Sequence, residues 1–425
     1  MTSIDEFLAE AREFLDATCP LRSESDDRFV WGEGSDRVNI LEEVDPAEAS
    51  AQLAEAKRYA AARFDAGFGW IDGPVEYGGR GATPEHARAY QELEARYEVP
   101  NLSMLVIAIG FIGPALAVHA SPELRAAYLP KLYRGDLVMC QLFSEPNAGS
   151  DLASAATRAV RDGDEWVVNG QKVWTSSAHV ADLALAVCRT DPDVPKHQGL
   201  TTFLVDMHAP GVDVRPLRQM TGTAGFNEVF LTDVRVPDSH RVGELNAGFR
   251  VILTTLGNER TIATRSPSST GGAGPFERLL GVVDTFGDRN DARQRQQLAQ
   301  LFIGNQIKEL LIGRWRASLR PGVTPGPEMS VLKLHSCRGH AELVRMLTEV
   351  LGPRLAADTG EWGSFAWDEF VLSTPGARIG GGTEEIVRNT VAEKVLGLPR
   401  EPKASPPPSP ARAGEGSKVE VAVER

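Results

Sequence analysis

The chain has 425 residues, 42% of them hydrophobic and 24% charged, and a formal net charge of −13. That acidity makes the chain a poor candidate for sequence-independent nucleic-acid binding, which draws on dense basic charge, and no apolar run reaches the ~18 residues a membrane helix needs. The four cysteines, Cys19, Cys140, Cys188 and Cys337, lie far apart without CxxC or Cys/His spacing, so a reduced, cytoplasmic protein without a metal site is expected.

The first stretch, MTSIDEFLAEAREFLDA, places Ile4, Phe7, Leu8, Ala11, Phe14 and Leu15 on one helical face and reads as neither a signal nor a transit peptide. Asp45–Phe68 is rich in Ala, Glu and Lys at helical spacing. Thr83 and Ser121 each stand before a proline and are expected to cap the helices TPEHARAYQELEARY and SPELRAAYLPKLYRG. From about Leu137 the period shortens to that of strands. Asp162-Gly163 and Asn169-Gly170 both predict hairpin turns. LALAVCRT, LTTFLVDM, VDVRPLR and NEVFLTDVRVP continue the strand pattern to about Pro237, and helices return from Gly248. After Arg400 the composition turns to Pro, Ser and charge, which predicts disorder. The expected fold is α+β: an N-terminal helical domain (1–135), a middle β domain (136–240), a C-terminal helical domain (241–400) and a disordered tail (401–425).

Three segments carry candidate chemistry. In ARIGGGTEEIVRNTVAEKVLGLPR, Gly380, Gly381 and Gly382 lead through Thr383 into a helix. A dinucleotide loop would need G-x-G-x-x-G inside a βαβ unit. Here the third glycine position fails, and Glu384 and Glu385 in the first turn compete with a bound phosphate. A tight turn is the simpler reading. QLFSEPNAGSDLAS (Gln141–Ser154) ends a strand in a small-residue loop rich in N–H groups and hydroxyls. NGQKVWTSS (Asn169–Ser177) sets Trp174 beside hydroxyl residues, an arrangement suited to covering a flat ring.

Together these segments resemble the acyl-CoA dehydrogenases. FSEPNAGSD is similar to that family's flavin signature T/S-E-P-x-x-G-S-D, and KVWTSS to its K-x-W-I-T-N strand. FNEVFLTDVRVP resembles the strand closing its β domain, GFRVILTTLGNER its substrate-site helix, and GGGTEEIVRNTVAEKVLG its C-terminal flavin motif. The match runs in family order over about residues 5–400.

The resemblance implies helical domains flanking a barrel-like β domain, bound FAD, and α,β-dehydrogenation of an acyl-CoA thioester. Electrons would pass to electron-transfer flavoprotein, within a homo- or hetero-oligomer. Phe143, Ser144, Gly149, Ser150, Trp174, Thr175, Ser176, Thr383 and Glu385 would bind FAD. Ser150, Arg260, Gly381 and Gly382 would bind substrate. Many members carry the catalytic Glu where this chain has Gly381. Others, isovaleryl-CoA and long-chain acyl-CoA dehydrogenases among them, place it on the substrate-site helix, and there the matching residue is Glu259. Two cross-subunit FAD motifs depart from the family pattern. Val283 replaces the Arg of R-x-x-F-G, and MLTEVLGPRLA replaces Q-x-x-G-G-x-G, so a shared or altered FAD site in a hetero-oligomer is a further expectation.

Overall fold

The computed structural model describes residues 3–22, 29–38, 46–263, 275–318 and 326–400, with the side chains of 46–47, 260–263 and 316–318 left out. The tail expected to be disordered, 401–425, lies outside the described residues.

The N-terminal part is helical: α1 (Ile4–Thr18), α2 (Pro46–Asp65), α3 (Pro84–Glu94), α4 (Gly113–His119) and α5 (Pro122–Arg134). Ser3 and Glu6 close a capping box that starts α1, each side chain bonding to the other's backbone N–H. Phe7, Ala11 and Leu15 are the buried face, packed with Tyr59, Phe68, Tyr90 and Tyr97. Ser121 caps α5 as expected, accepting Leu124 N–H at 3.2 Å. Thr83 stands at the cap of α3 without that bond, because its hydroxyl pairs with His86 Nδ1 at 2.7 Å. A π-helical turn, Ile107–Ile112, precedes α4.

The middle is one eight-stranded sheet. Its strands are β1 (Met139–Leu142), β2 (Arg158–Asp162), β3 (Glu165–Ser176), β4 (Leu183–Arg189), β5 (Leu200–Asp206), β6 (Val212–Leu217), β7 (Phe226–Pro237) and β8 (Arg241–Val242). The order is β6-β7-β3-β2-β4-β5-β8, with β1 added parallel to β4. Asp162-Gly163 makes the predicted hairpin, with Asp162 opposite Glu165 and Gly163 at φ +64°.

Asn169-Gly170 does not form the predicted turn; both residues lie inside β3. The Asn169 side chain donates to Asp233 Oδ1 at 3.0 Å and accepts Asp233 N–H at 2.9 Å, locking β3 to β7 across a register shift. Gly170 is required for a different reason, the close approach of Thr157.

The C-terminal part comprises α6 (Gly248–Ala263), α7 (Pro275–Phe286), α8 (Ala292–Ser318), α9 (Ser330–Leu351), α10 (Asp368–Ile379) and α11 (Glu384–Thr390). Leu279, Val282, Val283, Met346, Leu347, Trp367 and Phe370 form its core. Residues 29–38 strap onto this part: Trp31 packs edge-on against Trp362 at 4.8 Å, and Gly363 N–H donates to Asp36 at 2.9 Å. Among the described residues no helix is long and apolar enough to cross a membrane.

A β-carbon on Gly170 would lie 2.4 Å from Thr157 Oγ1 and 2.7 Å from Thr157 Cα. Gly170→Ala is therefore expected to cost about 1–3 kcal/mol, as overpacking does. Thermal unfolding followed by circular dichroism reads this as a lowered midpoint; an unchanged midpoint would show that the strands separate at no cost.

Candidate active site

The first part of the site is organised by a buried charge. Alternation along β3 puts Trp166, Val168 and Lys172 on one face, so Lys172 is carried into the interior, fully buried. An ammonium there survives only with acceptors around it. It donates to Glu145 Oε1 at 2.8 Å, to the Val187 carbonyl at 2.7 Å and to the Phe143 carbonyl at 3.1 Å. Glu145 also accepts Ala156 N–H at 2.7 Å and Thr157 N–H at 2.9 Å. Burial pushes the Glu145 carboxyl up, but the Lys172 ammonium and these donors hold it below the ordinary carboxylate value. Burial pulls Lys172 down while Glu145 opposes it.

This pair joins the FSEP loop to the KVWTSS strand. Val173 N–H donates to the Ser144 carbonyl at 2.9 Å, so the Phe143–Ser144 main chain is clamped along β3. Phe143 is buried and Ser144 half-buried, whereas Gly149 and Ser150 are exposed beyond the clamp. Asp151 ends that loop in an ion pair with Lys196 at 2.6 Å.

Past Lys172 the ladder between β3 and β7 is interrupted before Thr175. Trp174 takes φ +60°, a left-handed conformation that costs a bulky residue about 1–3 kcal/mol. The bend turns its indole out of the sheet, 62% exposed, edge-on to Phe226 at 6.1 Å. Thr175 is buried and its carbonyl accepts Asn227 Nδ2 at 3.0 Å, but its hydroxyl has no hydrogen-bond partner. Gln141 Nε2 on β1 is likewise buried without a partner. Ser176 is half-buried opposite Phe226. An exposed indole on a strained bend, with buried donors left over on β1 and β3, fits a flat, polar, hydrogen-bonding ligand such as a flavin ring.

The second part lies between α6 and the turn from α10 to α11. On α6, Glu259 follows buried Ile252 and Thr255 on the inward face. Gly381 and Gly382 adopt φ +67° and +99°, backbone geometry that favours glycine. A β-carbon at Gly381 would sit 3.4 Å from Glu259 Oε1 and 3.8 Å from Lys333 Nζ. The Glu259 carboxylate thus borders the space into which a side chain at position 381 would grow. The backbone of Arg260 continues α6; its side chain is outside the described residues.

Thr383 caps α11, its hydroxyl accepting Ile386 N–H at 3.3 Å. The two acids that follow diverge. Glu385 is exposed, whereas Glu384 is buried and pairs with Arg378 at 2.6 Å and Arg388 at 3.3 Å, so Arg378 and Glu384 staple the glycine turn from both sides. The two parts of the site share one apolar core, in which Phe143 and Ala148 pack with Val251 and Ile252 of α6.

Three profiles of the acyl-CoA dehydrogenases match the chain in order: the N-terminal domain over residues 37–136, the middle domain over 140–234 and the C-terminal domain over 246–396. The chain belongs to the acyl-CoA dehydrogenase family. Acyl-CoA dehydrogenase FadE34 of Mycobacterium tuberculosis is 42% identical over 357 residues, 82% of this chain but 47% of that protein. The chain therefore spans about half the length of that relative. Acyl-CoA dehydrogenase IpdE1 of the same organism is 36% identical over 79% of this chain and 85% of its own length. Among solved structures, the Tcur3481-Tcur3483 steroid ACAD aligns with a TM-score of 0.68 and 27% identity over 85% of this chain and 100% of that chain. The ChsE4-ChsE5 complex from Mycobacterium tuberculosis gives 0.68 and 26% over 94% of this chain and 100% of that chain.

Members of this acyl-CoA dehydrogenase family are flavoproteins, and the leftover donors and exposed indole accord with that. The motifs contain Gln141, Glu145, Lys172 and Glu384 without showing whom they bond, and they say nothing of Lys333 or of Arg378 as the partner of Glu384. Only Lys172 had a signal, being charged at a position where strand alternation demands burial.

Lys172→Met leaves the Glu145 carboxylate buried without its cation and is expected to cost about 3–5 kcal/mol. Replacing both partners, Glu145→Leu with Lys172→Met, should recover a large part of that loss. Urea unfolding of the three proteins checks this; a Lys172→Met chain as stable as the parent would show that the ion pair is not what holds the loop.

Proposed function

We propose that the chain is an FAD-dependent dehydrogenase that converts an acyl-CoA thioester to its trans-2-enoyl-CoA, with Glu259 as the base. The observation carrying this reading is the Glu259 carboxylate bordering Gly381, the position at which many relatives carry their catalytic acid. Physical chemistry explains why the two arrangements exclude each other. An acid at 381 would bring a second carboxylate against Glu259, and one of the two would have to hold a proton.

Phe143, Ser144, Trp174, Thr175 and Ser176, joined by Gln141, would hold the flavin ring, with Thr383 and Glu385 nearer the rest of the cofactor. Gly149 and Ser150 would border ring and thioester. When bound, the flavin supplies a two-electron acceptor for the hydride leaving the substrate β-carbon. Glu259 takes the pro-R α-proton, and the electron pair of that C–H bond becomes the new double bond as the hydride departs. Negative charge gathers on the thioester oxygen during this step, and the Gly381 N–H is a donor for it. Gly382 lets the backbone approach, and Arg260 would support the acyl end.

The electron acceptor is proposed to be electron-transfer flavoprotein, as in the family. Assembly with a second acyl-CoA dehydrogenase-like chain is supported by three findings. Similar solved structures are named as two-chain proteins, and FadE34 is about twice as long as the matched region. Val283, at the position of the family's cross-subunit arginine, is 3% exposed inside the C-terminal core and offers no cation to a neighbour. The relative named a steroid ACAD supports a bulky, polycyclic acyl group.

Glu259→Gln in the FAD-loaded protein is expected to lower turnover of a competent acyl-CoA roughly a hundredfold or more, with flavin content unchanged. Turnover equal to the parent would remove Glu259 from the mechanism. A parent chain that binds no flavin, alone or with its co-purified partner, would point to a non-catalytic subunit. Rapid oxygen uptake by the reduced protein would point to an oxidase.

A further inference from the structure

We propose that Lys333 is a positioning residue of this same site: it fixes the plane of the Gly380–Gly381 peptide and so aims the Gly381 N–H. The proposal rests on the reading of the α10–α11 turn as the thioester-binding element.

Lys333 lies on α9, half-buried, and its ammonium donates to the Gly380 carbonyl. The same Nζ stands 3.8 Å from where a Gly381 β-carbon would be, with Glu259 Oε1 3.4 Å from that point. The Gly380 carbonyl and the Gly381 N–H belong to one planar trans peptide, so they point in opposite directions. Holding the oxygen against Lys333 therefore holds the N–H away from it.

This peptide needs an external hold. It follows the last turn of α10, where the Gly376 carbonyl accepts the Gly380 N–H at 2.9 Å and the helix's own ladder ends, and it leads into two glycines in left-handed conformations. Glycine places little restraint on its own rotation. The Arg378–Glu384 staple joins side chains on either side of the turn and does not engage this peptide's own carbonyl or N–H. α9 supplies the restraint: Lys333 takes the Gly380 carbonyl, and one turn on, Cys337 Sγ meets the Ala377 carbonyl at 3.7 Å. A cation is also the favoured partner at the C-terminal end of a helix such as α10.

The test uses the FAD-loaded protein, with any second chain that co-purifies, in parent, Lys333→Met and Lys333→Arg forms. Backbone hydrogen–deuterium exchange of the segment covering 380–383 is read without substrate, so it decides the tether whether or not the dehydrogenase reading survives. Turnover is then measured with the acyl-CoA most active on the parent in a straight-chain, branched and steroid-derived panel. Lys333→Met is expected to speed exchange in that segment and to lower kcat and kcat/KM together, on the order of tenfold to a hundredfold. Lys333→Arg, which keeps a donor, should restore most of both. Unchanged exchange in Lys333→Met would overturn the proposal. So would a turnover loss that the arginine variant fails to rescue, or faster exchange with undiminished turnover. A Glu259→Gln chain that turns over normally would instead sink the base assignment and leave the exchange result standing.

Discussion

A lysine ammonium removed from water is the constraint around which the middle of this protein is arranged. Lys172 cannot stay charged in the sheet interior unless β3, β4 and the loop after β1 converge on it. Satisfying it brings the Phe143 carbonyl, the Glu145 carboxylate and the Val187 carbonyl to one point. The flavin-signature loop is therefore held by main-chain and ionic bonds, with Ser144 half-buried and Ser150 exposed beside the clamp. The strain at Trp174 follows one step further along the same strand. β3 is pinned at Lys172 and paired again from Thr175, so the intervening residues absorb the misfit, and the indole is thrown outward.

The second half of the site works by complementarity between two distant residues. Gly381 lacks a side chain, and Glu259 places its carboxylate at the edge of the vacated space. Under the proposed mechanism each depends on the other: a glycine alone would leave no base, and a second acid would compete for charge. The glycine retains the peptide N–H and gives up only the carboxylate. Rigidity is supplied from outside the turn, by the Arg378–Glu384 pair and by α9, as befits a loop built from residues with little conformational preference of their own.

Much of the fold is legible in the chain because it depends on local pattern. The strands from β4 to β7 follow their alternation or apolar runs, and Asp162-Gly163 turns where its chemistry says it should. Asn169-Gly170 carries the same local signal and stays extended, because Asn169 finds Asp233 across the sheet, a partner invisible to a dipeptide rule. At the site, the FSEP and KVWTSS segments are visible as motifs, but their mutual attachment through Glu145 and Lys172 is tertiary. The link between Glu259 and Gly381 is suggested by family resemblance and would not emerge from spacing. Lys333 is the least legible, since its acceptor lies 47 residues away and an exposed lysine would look the same in sequence.

In the proposed mechanism the proton acceptor sits on α6 while the glycine turn contributes only backbone. The most direct measurement is release of deuterium to water from an acyl-CoA labelled at its α-carbon, using FAD-loaded parent and Glu259→Gln chains. Release by the parent and its near-complete loss in the variant are expected if Glu259 is the base. Equal release by both, at equal flavin content, would contradict that assignment.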